Sequence, residues 1–187
     1  MSYISELRKL VGHMPIMATA ASCILFDKDK GILLEKRTDN GQWCIPGGAI
    51  ELGEEPEEGL FREVKEETGL DISDPEFFKV KANIHMVYPN TDEVYYTDIV
   101  YIVTKYSGEL LPDSESTDLK WFKPDALPDN IMPTQIDYIE EFIAKKIPSS
   151  FPLAHASQAV LSLDGIFPSH AAHFPSSAYS SQSVIFV

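Results

Sequence analysis

The order of patterns along this chain of 187 residues predicts a mixed α/β fold, with helices packed on a sheet that is at least partly antiparallel. Two observations carry that prediction. Amphipathic helical segments stand at the start, the middle and the end of the patterned region, and between them β-rich runs come in pairs around short turn signals. With 44% hydrophobic residues, the length suffices for one domain with a sizeable core and is short for two.

Each element follows from its own residues. From Ser2 to Val11, the apolar residues Ile4, Leu7, Leu10 and Val11 make a helical stripe, closed by Gly12 and then Pro15. "IMATAASCILF" and "GILLEKR" read as two strands of a hairpin across "DKDKG". That turn alternates Asp27 and Asp29 in the manner of a calcium loop, but Gly31 comes one place early and Thr38 stands where a glutamate is needed. After "QWCIPGG", Pro56 suits a first helical turn and Gly69 a C-terminal stop, so a helix is expected from Pro56 to Thr68. "FFKVKANIHMVY" and "VYYTDIVYIVTKY" form a second hairpin around "PNTDE", and "LKWFKP" adds a short strand. Behind Pro133, the residues Ile136, Ile139, Phe142, Ile143 and Ile147 share one helical face, and the domain is expected to close there, spanning 1–147. Residues 148–187 hold ten serines, one Asp (Asp164) and no Lys, Arg or Glu, which predicts an irregular extension to which the sequence assigns no role.

Composition excludes several functions. A formal net charge of −14 argues against broad attraction to nucleic-acid backbones or anionic membranes. Cys23 and Cys44 both sit in apolar sequence, so buried reduced thiols are expected rather than a disulfide or a zinc site. The N-terminus lacks the apolar stretch of a signal peptide, and no run is long enough for a membrane span. A cytoplasmic location is the resulting expectation, with a homodimer left open.

The chemistry concentrates in residues 48–70, "GAIELGEEPEEGLFREVKEETGL". On a helix, Leu60, Phe61 and Val64 fall to one side, expected to dock on the sheet, while Glu63, Glu66 and Glu67 fall to the other. Like charges at these spacings destabilise a helix, and Glu66 and Glu67 lie near the C-terminal end, where the dipole disfavours anions. A hard divalent cation reverses that balance, because Mg²⁺ prefers oxygen ligands and substrate phosphates. Arg62 can reach Glu58 or Glu66 one turn away and so aim a carboxylate.

The spacing is specific. Gly48, Glu54, Arg62, Glu63, Val64, Glu66, Glu67, Gly69 and Leu70 spell G-x5-E-x7-R-E-U-x-E-E-x-G-U, with U apolar. This is the Nudix box, and the chain resembles the Nudix hydrolase (MutT-like) family. The resemblance implies an α/β/α sandwich around a mixed sheet, and Mg²⁺- or Mn²⁺-assisted cleavage of the pyrophosphate of a nucleoside diphosphate linked to another group. It implies Glu63 and Glu67 as direct metal ligands, Glu66 as a ligand or the orienter of the attacking water, and the Gly48 carbonyl as a further ligand. Glu54 and Arg62 would hold the loop against the helix that Gly69 ends. A late-loop carboxylate serves as base or ligand in some members; "LPDSEST" offers Glu115, with Asp113 as a substitute. A nucleotide-sensing domain without hydrolysis is the alternative, and it is disfavoured because every box glutamate is present.

Outside the box the signals are weaker. Trp43, Tyr88 and Tyr96 could stack on a base, although aromatics in strand sequence usually serve the core. His13 and His85 lack metal-ligand spacing. Tyr88 and Pro89 lie near positions that suggest dinucleoside polyphosphate or ADP-ribose substrates in the family, which leaves those two, nucleotide sugars and noncanonical nucleoside triphosphates in competition.

Overall fold

The computed structural model describes residues 2–112 and 116–147. The N-terminal helix α1 (Tyr3–Val11) precedes the hairpin β1 (Ile16–Asp27) and β2 (Gly31–Arg37). Two short strands, β3 (Trp43–Cys44) and β4 (Gly47–Ala49), lead into helix α2 (Pro56–Thr68). Then come β5 (Asp71–Ser73), β6 (Glu76–Val87), β7 (Glu93–Val103), β8 (Lys105–Ser107), β9 (Ser116–Phe122) and helix α3 (Ile136–Lys146).

The main sheet runs β3-β2-β1-β7-β6, with β4 added to β1 and β9 to β2. It is mixed: β1 lies parallel to β7 from Ile16 opposite Val94 to Leu25 opposite Val103, and the other pairings are antiparallel. Helices cover both faces. Cys23 and Leu25 of β1 turn toward Leu60 and Val64 of α2, while Ile24 turns toward Tyr138, Ile139 and Phe142 of α3. A strand buried on both sides has no polar face, and this is why Ala21 to Leu25 form an unbroken buried run rather than an alternating one. The expected α/β/α sandwich is therefore the observed fold.

Three departures from the sequence reading have physical causes. The run "VYYTDIVYIVTKY" is not one strand: it breaks after Val103, and β8 leaves the main sheet to pair with β5, tethering the end of the box. β6 is an edge strand with register shifts near Phe77/Lys79 and Lys81/Ile84, and its lysines reach α3 through Lys79–Glu141 and Lys81–Asp137. α1 buries none of its residues, and Leu10 of its apolar stripe is exposed. Polar contacts hold the helix instead, with Arg8 Nη2 donating to the Glu93 carbonyl at 2.7 Å and the Tyr3 N–H donating to Glu51 at 2.7 Å. Among the described residues no helix is long and apolar enough to cross a membrane. Residues 148–187 lie outside the described residues.

Candidate active site

Helix α2 begins and ends on sequence-encoded stops. The Glu55 N–H donates to the Glu58 carboxylate at 3.0 Å, Pro56 opens the first turn, and Gly69 closes the helix at φ 76°, a left-handed conformation that suits glycine. The buried face of α2 is Gly59, Leu60, Val64, Glu67 and Thr68. Phe61, expected inside, is 39% exposed, and Glu67, expected outside, is 8% exposed. The correction follows from the helical turn, which puts Glu67 almost directly above Leu60 and Val64. Its burial is tolerated because the Gly47 N–H donates to its carboxylate at 2.8 Å. Glu66 is the outermost of the three glutamates.

Arg62 organises the loop before the helix. Its Nε and Nη2 form a fork on Glu54 at 2.7 and 2.9 Å, Nη2 also donates to the Ala49 carbonyl at 3.1 Å, and Glu54 accepts from the Glu51 N–H at 2.9 Å. The guanidinium holds the Glu54 carboxyl down at about 2. Nη1 joins Glu63 at 2.6 Å and reaches Glu66 at 3.5 Å. It makes no such contact with Glu58, which serves the helix start instead. With Arg62 drawn in among them, no three metal-capable side chains close on one point among the described residues.

The donor types nonetheless suit a hard cation: Glu63, Glu66, Glu67 and Gly48 line one cleft. At Gly48, an added Cβ would stand 2.5 Å from the Glu63 carboxyl carbon, so only glycine lets that carboxylate lie against the backbone. Glu115 and its substitute Asp113 lie outside the described residues.

The cleft has a volume of about 380 Å³. Glu63, Glu66, Glu67 and Gly48 line one part of it, and Ile84, Met86, Met132, Tyr88 and Tyr96 supply apolar and aromatic wall. The Tyr88 and Tyr96 hydroxyls lie 3.0 Å apart. Trp43 instead belongs to the core, edge-on to Phe122 at 4.8 Å. His13 pairs with Asp92 and His85 with Glu93, and both lie at the surface. Cys23 and Cys44 are buried free thiols, and burial pushes both well above the usual thiol range.

The sequence pattern that defines the NUDIX domain matches residues 17–142. The chain belongs to the Nudix family. As a Nudix hydrolase it acts on pyrophosphate bonds. It is 34% identical over 111 residues to a "MutT-like protein" of Streptomyces ambofaciens, an alignment covering 59% of this chain and 67% of the relative. To an "ADP-ribose pyrophosphatase" of Methanocaldococcus jannaschii it is 36% identical over 110 residues, covering 56% and 61%. A MutT NUDIX hydrolase structure from Burkholderia pseudomallei superposes with a TM-score of 0.58 at 26% identity, over 66% of this chain and 96% of that one.

Reading the Nudix box left several cleft residues unnamed. Asp98 on β7 is 5% exposed, and burial lifts its carboxyl to about 6. Ser22, Gln135, Tyr138 and Arg37 line the cleft with it. The available signal was a lone aspartate inside the apolar run "VYYTDIVYIV".

Proposed function

We propose that this Nudix hydrolase cleaves the pyrophosphate of a nucleoside diphosphate joined to another group, using Mg²⁺ or Mn²⁺ held by Glu63, Glu66, Glu67 and the Gly48 carbonyl. One observation carries the reading: a single cleft joins the box carboxylates to a wall of Ile84, Met86, Met132, Tyr88 and Tyr96, so a charged diphosphate and an aromatic base fit side by side. A cation bound there would neutralise charge developing on the diphosphate oxygens.

The protein's own groups position the rest. Glu54 and Arg62 lock residues 49–54 against α2, and this fixes the direction of the Glu63 carboxylate. Glu67 is held by the Gly47 N–H, which keeps β4 and α2 in register at the reacting end. Glu66, the most exposed of the three glutamates, serves as a further ligand or orients the attacking water. Arg37, fastened to Asp39 at 2.7 and 2.9 Å, contributes positive charge on the cleft wall for an anionic substrate.

The test is a panel of nucleoside triphosphates, nucleotide sugars, ADP-ribose and dinucleoside polyphosphates, with products identified. Release of a nucleoside monophosphate, lost with a chelator and restored by Mg²⁺ at unchanged melting temperature, is the expected result. Absence of product across the panel would overturn the reading.

A further inference from the structure

Deep in the same cleft, polar groups gather that the cleavage step does not use. Asp98 and Tyr138 both line it, although Asp98 is 5% exposed and Tyr138 fully buried. Ser22 Oγ donates to the Asp98 carboxylate, 3.0 and 2.9 Å from its two oxygens. One hydroxyl proton cannot saturate a carboxylate, which offers about four lone-pair positions. The Tyr138 hydroxyl lies against Asp98, where burial and that charge push the phenol up, yet it finds no partner in hydrogen-bond geometry among the described residues. Gln135, also on the cleft wall, is anchored through its carbonyl oxygen by the Ile45 N–H at 2.9 Å, which leaves its NH₂ as a donor. The nearest cation is Lys81, whose Nζ is drawn to the Thr134 carbonyl at 3.3 Å and Asp137 at 3.2 Å, 5.1 Å from the Tyr138 ring.

A buried carboxylate held in good geometry by Ser22, with Tyr138 beside it and Lys81 at a distance, keeps unfilled lone pairs at a cost to the fold, and a buried hydroxyl outside hydrogen-bond geometry adds to that cost. Both costs are offset if a ligand brings two adjacent N–H donors beside an acceptor. Among the common bases only guanine presents that edge: its N1–H and 2-amino group are donors and O6 is an acceptor. Adenine would turn the N1 lone pair toward the carboxylate, and uracil and thymine carry one N–H between two carbonyls.

We propose that the Asp98–Tyr138–Gln135 end of the cleft is a guanine-reading subsite, in which the Asp98 carboxylate accepts from N1–H and the 2-amino group while Gln135 and Tyr138 donate to O6. Ile84, Met86 and Met132 supply apolar wall for the base. The assignment deepens the hydrolase reading and rests on it for placing the diphosphate at the Glu63 end.

Binding is measured on the full chain with GMP, IMP and AMP, by calorimetry with and without Mg²⁺, alongside kcat/KM for GTP, ITP and ATP. Wild type is expected to favour GMP over AMP by about ten- to hundred-fold, with IMP between them because it lacks the 2-amino group. Asp98→Asn should abolish the preference of GMP over AMP, read as a ratio of affinities, and Tyr138→Phe, which keeps the ring, should weaken GMP by about five- to ten-fold. Equal affinity for the three monophosphates in wild type, or a GMP preference unchanged in Asp98→Asn, would overturn the subsite and leave the hydrolase intact. GMP preference without turnover of any nucleotide would uphold the subsite and sink the hydrolase reading instead.

Discussion

Arg62 shows how much of the site one side chain can set. Its fork on Glu54, its bond to the Ala49 carbonyl and its contact with Glu63 tie loop, helix and carboxylate into one unit. Glu67 shows the complementary case, a buried carboxylate whose partner is a backbone N–H. Glu67→Gln retains an amide oxygen for that N–H, so the melting temperature should stay within a few degrees while kcat falls by about two orders of magnitude or more. Wild-type turnover in this variant would remove Glu67 from the metal set. The box glutamates and Arg62 were legible from spacing alone, because they stand at fixed separations along one loop and one helix. Asp98 was not, since a lone aspartate inside an apolar run signals burial but not which distant groups share its cleft.

At the scale of elements, α2 and β4 approach so closely that Gly48 must lack a side chain. A Cβ there would stand 2.5 Å from the Glu63 carboxyl carbon, and the group displaced is the tip of a flexible side chain rather than backbone. Gly48→Ala should therefore leave the fold intact by circular dichroism and lower kcat by about ten- to hundred-fold, because Glu63 is forced out of place. Activity equal to wild type would show that Glu63 works from more than one position. Helical periodicity located α2 within its true limits and its Leu60–Val64 stripe, but it placed Phe61 inward and Glu67 outward. Charge is a poor guide to exposure where a neighbouring strand supplies the missing donor, and here that donor is the Gly47 N–H of β4. The same limit hid β3, β4, β5 and β8, which are two or three residues long and exist only through their partners.

Across the whole molecule, a sheet covered on both faces brings Asp98 into an interior where its charge is poorly solvated. Burial pushes its carboxyl up to about 6, well above the ordinary aspartate range, so the folded state holds the proton more tightly than the unfolded state. Stability contributed by Asp98 is then greatest below about pH 4 and declines as pH rises toward 6, by about 3 kcal/mol once ionisation is complete. Asp98→Asn should remove this decline, and comparing its melting temperature with wild type between pH 4 and 7 measures it. Parallel curves for the two proteins would place the carboxylate in a better solvated setting. Sequence by itself determined the family, the order of helices and principal strands, and the spacing of the box glutamates and Arg62, because each of these depends on the pattern along one segment. Tertiary structure alone decided which glutamate is buried, how β1 and β7 pair in parallel, and that Asp98, Tyr138 and Gln135 share a cleft with the box. Those groups are far apart in the chain, and only a sheet packed between two helices fixes their distances.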